Sequence, residues 1–164
     1  MNLSYDFEIE FNKIVADILK NEEFLKLRDE YHHGFTRIEH SINVAKVSFK
    51  WAKALKVKDY VDITRAALVH DFFTKEELHG KNQLIHPGIA NRNAIRCFGI
   101  NKRQSNMILS HMFPLCTTLP TNIGSWIITA ADKSCATYEC SKYKVPTTAV
   151  SVMVFLVNFL SIKL

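Results

Sequence analysis

Six side chains able to ligate a cation recur along the middle of the chain, each in apolar company. His40 sits within TRIEHSINVA, His70-Asp71 closes AALVHDFF, His86 heads HPGIANRNA, His111 follows MILS, and Asp132 follows IITAA. An ionised carboxylate without a partner in such surroundings is costly. A divalent cation relieves that cost for several groups at once, because imidazole nitrogen and carboxylate oxygen both ligate it well. Adjacent residues on a helix point about 100° apart, so His70 and Asp71 cannot stack on one face. At a helix end facing a bundle interior, both still reach one ion from its flank. The second Asp71 oxygen is then free to bridge to another ion, so the pair suits one-metal and two-metal centres alike.

Helices must bring these residues together. Asp6 to Leu27 carries Phe7, Phe11, Ile14, Val15, Ile18 and Leu19 at three-four spacing, with Asn21-Glu22-Glu23 breaking or re-capping it before a short helix ending near Tyr31. His32-His33-Gly34 reads as a connection. Thr36 and Glu39 match a capping box for a helix from Ile38 to Leu55, which holds His40. A fourth helix is expected from about Asp59 to Phe73, then a loop from Thr74 to Ile85. His86-Pro87 opens a helix ending near Phe98-Gly99, and Asn101 caps another to about Met112. Pro114 and Pro120 bracket a loop, Trp126 onward forms a helix carrying Asp132, and Pro146 opens the last. Phe7, Phe11, Phe49 and Trp51 fall at core spacing. Strand signals are missing, so the expected fold is all-α, a compact bundle of about seven or eight helices.

The order His40, His70-Asp71, His86, His111, Asp132, in EHS, HD, HP and AD contexts, resembles the HD superfamily of metal-dependent phosphohydrolases over roughly residues 36–139. The single histidine at His111 is closer in pattern to bacterial symmetrical diadenosine tetraphosphate hydrolases. The cyclic-dinucleotide phosphodiesterases carry paired histidines there and a GYP-type motif, which this chain lacks. The resemblance implies a bundle of the HD-domain type and one ion held by His40, His70, Asp71 and Asp132. A second ion would be held by Asp71 as a bridge with His86 and His111. Two such ions clamp a phosphoryl group and ionise a water between them. Iron, manganese, cobalt, nickel or zinc all suit the donor set. The implied activity is hydrolysis of a phosphoester or phosphoanhydride bond in a nucleotide or small phosphorylated metabolite.

Phosphate contacts would come from Lys133 first and Lys75 next, both near ligand candidates in sequence; Arg37, His79 and Arg92 are further candidates. Taken singly, each also reads as a solvated surface charge. His32 and His33 are candidates to line the same cleft, and Tyr138 or Tyr143 to stack on a base. Two other readings keep the same fold: a di-iron oxygenase, and a non-catalytic, metal-stabilised module that senses a nucleotide or binds a partner.

The 164 residues favour a single domain spanning 1–164, and 48% hydrophobic with 23% charged residues is ordinary globular composition. A net charge of +5 fits an anionic substrate, while no basic stripe with interleaved aromatics points to dedicated nucleic-acid binding. Cys97, Cys116, Cys135 and Cys140 form no C-x-x-C pair, and MNLSYDFEIEF lacks the order of a signal peptide, so a cytoplasmic setting is expected. AVSVMVFLVNFLSI, residues 149–162, would span roughly 21 Å as a helix, short of the ~30 Å hydrocarbon core. A buried terminal helix or a homodimer contact is expected there, with a membrane-surface anchor as a weaker option.

Overall fold

The computed structural model describes residues 3–32, 35–80 and 82–142. The apolar segment at 146–164, with its expected helix, dimer contact and anchor, lies outside them, as do His33 and Tyr143.

The described residues form an all-α bundle of eight helices: α1 (Leu3–Val15), α2 (Glu22–Leu25), α3 (Arg37–Ala54), α4 (Tyr60–Leu68), α5 (Lys75–Leu78), α6 (His86–Phe98), α7 (Lys102–Leu109) and α8 (Ile123–Lys142). Short 3-10 turns at Ile18–Lys20, Lys26–Asp29 and Gln83–Ile85 join them. α3 is the central rod, packed along α4 on one flank and α8 on another, with α7 bridging α4, α6 and α8. Alanines 45, 52, 66, 67 and 131 are fully buried or nearly so, and their small side chains let the helices approach closely. Phe11, Phe24, Phe49, Ile63, Leu68, Met107, Ile108 and Ile128 fill the remaining core. Burying such a side chain contributes roughly 1.5–3 kcal/mol. Gly124 marks the tightest approach: a Cβ there would collide with the side chains of Met107 and Ile63.

The caps carry much of the local specification. The Thr36 hydroxyl accepts from Glu39 N–H while the Glu39 carboxylate accepts from Thr36 N–H, closing the box at the start of α3. Asn101 and Gln104 do the same for α7, and Asn21 re-caps the chain by accepting from Phe24 N–H. Gly99 ends α6 in the left-handed region at φ 59°, where a Cβ is disfavoured.

Five expectations are corrected. α4 stops at Leu68, not Phe73, and α7 at Leu109, not Met112. In both cases a histidine side chain two residues past the end takes a carbonyl of the last turn (Ala67 or Ile108), and the chain leaves the helix. The loop from Thr74 to Ile85 contains α5, whose Thr74–Glu77 capping box makes a single helical turn stable. Tyr31–His32 and Phe35–Thr36 pair as a two-residue antiparallel ladder, the only strand pairing among the described residues. Trp51, in the last turn of α3, is 37% exposed rather than core.

Candidate metal centre

The two helix ends described above, the start of α6, and the facing surfaces of α3 and α8 converge. His70 is fully buried and His111 nearly so, forming the floor. The side chains of Asp71, Asp132 and His40 keep 16%, 12% and 11% exposure, so the cluster opens to solvent on their side. All six candidate ligands meet here.

Every imidazole is oriented the same way. His70 Nδ1 donates to Ala67 O at 2.7 Å, His111 Nδ1 to Ile108 O at 2.7 Å and His86 Nδ1 to Gln83 O at 2.6 Å. A carbonyl can only accept, so these three Nδ1 atoms carry protons and the Nε2 lone pairs face inward. His40 makes the equivalent bond to a side chain, Glu139 Oε2, at 2.7 Å.

The inward atoms crowd together. His40 Nε2 lies 3.1 Å and His70 Nε2 3.6 Å from Asp132 Oδ1. Asp71 faces two ways: Oδ2 is 3.9 Å from His70 Nε2, while Oδ1 is 3.2 Å from His86 Nε2 and 3.5 Å from His111 Nε2. His86 Nε2 and His111 Nε2 are 2.9 Å apart. With both Nδ1 protons already committed, that contact sets two lone pairs against each other unless a proton or a cation lies between them. His70 Nε2 and Asp71 Oδ1 are buried without a hydrogen-bond partner, and such groups are costly unless satisfied.

These observations fit a divalent ion. Ligands at ~2.0–2.2 Å from one ion lie roughly 2.9–3.6 Å from each other, close to the contacts above. Two overlapping groups could each hold one: His40, His70 and Asp132, and His70, Asp71 and His111, with ligand atoms within 4.8 Å of one another. His86 joins the second group through its contacts with Asp71 and His111.

The electrostatics show the same competition. Burial opposes charge on His40, but hydrogen bonds to Asp132 and Glu139 outweigh it and raise its pKa to about 10. Burial and the adjoining His70 imidazole push His111 down to about 3. Burial works against ionisation of Asp71 and Asp132, yet the surrounding imidazoles hold both well below the usual carboxylate range. The carboxylates are therefore anionic, and protons or a metal ion are alternative ways of balancing them.

The candidate phosphate contacts separate. Lys133 is buried, its Nζ donating to His111 O at 2.9 Å, and burial lowers its pKa. It ties α8 to the His111 turn. Lys75 is exposed at the start of α5, and His79 and Arg92 are exposed as well. Arg37 is buried, its guanidinium stacked 3.7 Å over the Phe73 ring, which stacks on His86 with centroids 4.9 Å apart. Its Nε has no hydrogen-bond partner, and its nearest carboxylate contact is Glu30 at 3.9 Å. Tyr138 is 60% exposed on α8.

Sequence reasoning missed Glu139, although the signal was present: it follows Asp132 by seven residues, two helical turns along one face. It also missed Asn93, whose amide donates to Phe72 O and Glu77 Oε1 and fastens α6 to the chain just after Asp71.

No protein-family model matches this chain, and neither a curated protein nor a solved structure matches it. Among the described residues no helix is long and apolar enough to cross a membrane.

Proposed function

We propose that this chain is a metal-dependent phosphohydrolase of the HD type, acting on a nucleotide or a small phosphorylated metabolite. One observation carries the reading: four histidines with committed Nδ1 atoms turn their Nε2 atoms, with two carboxylates, into one crowded pocket. When bound, divalent cations would supply Lewis acidity at a phosphoryl oxygen and an activated water. His40, His70 and Asp132 would hold one, and Asp71, His86 and His111 the other, with the two Asp71 oxygens serving both sides.

The remaining residues bind and orient. Arg37 favours phosphate over a non-phosphorylated substrate, because its buried guanidinium has Glu30 no nearer than 3.9 Å and an Nε without a hydrogen-bond partner, and a phosphate oxygen would supply a closer anionic acceptor. Phe73 holds the guanidinium flat beside His86. Lys133 buttresses the His111 turn and brings positive charge next to Asp132. The edge formed by Asp71, Asp132 and His40, whose side chains keep 11–16% exposure, is the side from which substrate would enter. Free thiols at all four cysteines suit a reducing cytoplasm.

A panel of nucleotides and phosphomonoesters, assayed with several divalent metals, tests this. Phosphate release that chelation abolishes is expected, with Arg37→Met losing about 10²–10³ in turnover as for other charge-stabilising donors. Oxygen consumption on a non-phosphorylated substrate by a two-iron form, or tight nucleotide binding with no turnover under any metal, would overturn the proposal.

A further inference from the structure

His40 differs from the other three histidines in what holds its ring. His70 and His111 lie just past helix ends and His86 begins a helix after a tight turn, so each ring reaches a backbone carbonyl three residues earlier. His40 lies within α3, where the preceding carbonyls are engaged by the helix itself. Its acceptor must come from elsewhere, and α8 supplies it. Glu139 is 4% exposed and places Oε2 2.7 Å from His40 Nδ1. Its other oxygen accepts from Asn43 Nδ2 at 3.2 Å. Asn43 is one turn beyond His40 on α3, so both carboxylate oxygens are fastened to the helix that bears the histidine.

A carboxylate does more than a carbonyl in this position. It fixes the ring and tautomer as a carbonyl does, and its full negative charge also makes the opposite nitrogen a stronger donor to a cation. We infer that Glu139, held by Asn43, is a positioning residue that makes the His40–His70–Asp132 group the tighter of the two metal sites and the first to load. The inference rests on the metal-centre reading above and adds an order of occupancy to it. Glu139 and Asp132 lie on one face of α8, so the same helix presents a direct ligand and the residue that orients that ligand's neighbour.

Calorimetric titration of the metal-free protein with Mn²⁺ tests it. The wild type should show two steps. Glu139→Gln keeps the shape and leaves a neutral acceptor like those of the other three histidines. It should weaken the tighter step by about 10–100-fold and leave the weaker one in place. With Co²⁺, the absorption bands that fill first should change in the variant, a readout that a purely structural role would not confine to one step. If Glu139→Gln is unfolded by circular dichroism, Asn43→Ala takes its place, with a smaller weakening of the same step expected. Two unchanged steps in the folded variant overturn the inference and leave the metal centre standing. A wild-type protein that takes up no divalent ion removes both.

Discussion

α3 carries charge pairs on two sides, and the two sides behave differently. Towards α1, Lys46 meets Glu8 and Lys53 meets Glu10, each at 2.9 Å with side chains 36–46% exposed. Towards α8, His40 meets Glu139 at 2.7 Å and Asp132 at 3.1 Å with side chains only 6–12% exposed. The bond lengths are alike, and the surroundings are not. Water and salt screen the outer pairs, which contribute about 0.2–1 kcal/mol each. Breaking a buried pair strands a charge and costs about 3–5 kcal/mol. Equal geometry is therefore no guide to importance: the outer pairs decorate a helix seam, while the inner ones stake the structure on having the right partners.

The largest effect should come from the inner side. Asp132→Ala removes the carboxylate shared by His40 and His70, so bound metal and more than 10³-fold of turnover should be lost together, measured by elemental analysis and steady-state assay. Chelating the wild type should lower its melting temperature as well. A ligand that binds only the folded state adds about 2.7 kcal/mol at a hundredfold excess over its Kd. An unchanged melt after chelation would break the contrast between the two sides.

The next effect shows what holds the outer seam. Phe49 is fully buried, its ring 4.8 Å from Phe7 and 6.0 Å from Phe11. Phe49→Ala should cost about 3–5 kcal/mol in urea unfolding. A Glu10–Lys53 double-mutant cycle should give less than about 1 kcal/mol, falling further in salt. A coupling above that figure would mean the outer pairs are less screened than their exposure implies.

The smallest effect tests the cap that begins α3. Hydrogen bonds from the Thr36 backbone and hydroxyl hold the Glu39 carboxyl below its ordinary value. Its contribution is thus fully present above the unfolded-state value of about 4.3, and is lost as pH falls through the lower folded value. The stability gap between wild type and Glu39→Gln should be constant from pH 7 to 5 and close towards pH 3. A gap that widens on acidification would contradict the cap assignment.

Much of this was readable from the chain because the signals are local. Thr36–Glu39 and Asn101–Gln104 mark helix starts through bonds made within three residues, and His86-Pro87 through a proline suited to the first turn; the structure has those starts. Helix ends were misjudged where a side chain intervened: the imidazoles of His70 and His111 take carbonyls that a backbone pattern assigns to the helix. Residue types marked all six candidate ligands, but nothing local reveals which charges are buried. Lys133 and Lys75 both lie near ligand candidates in sequence and rank first and second as phosphate contacts, yet Lys75 is at the surface and Lys133 ties α8 to the His111 turn. Arg37 is buried with its guanidinium over the ring of Phe73, a contact between residues far apart in the chain. Trp51 fits the helical period, yet in the last turn of α3 it stays 37% exposed.

Anomalous diffraction from crystals grown with Mn²⁺ or Zn²⁺ tests the centre most directly. Peaks should lie among His40, His70 and Asp132 and, at higher metal concentration, among Asp71, His86 and His111. Full-occupancy metal bound elsewhere, or six side chains turned away from one another with no peak between them, would contradict the account.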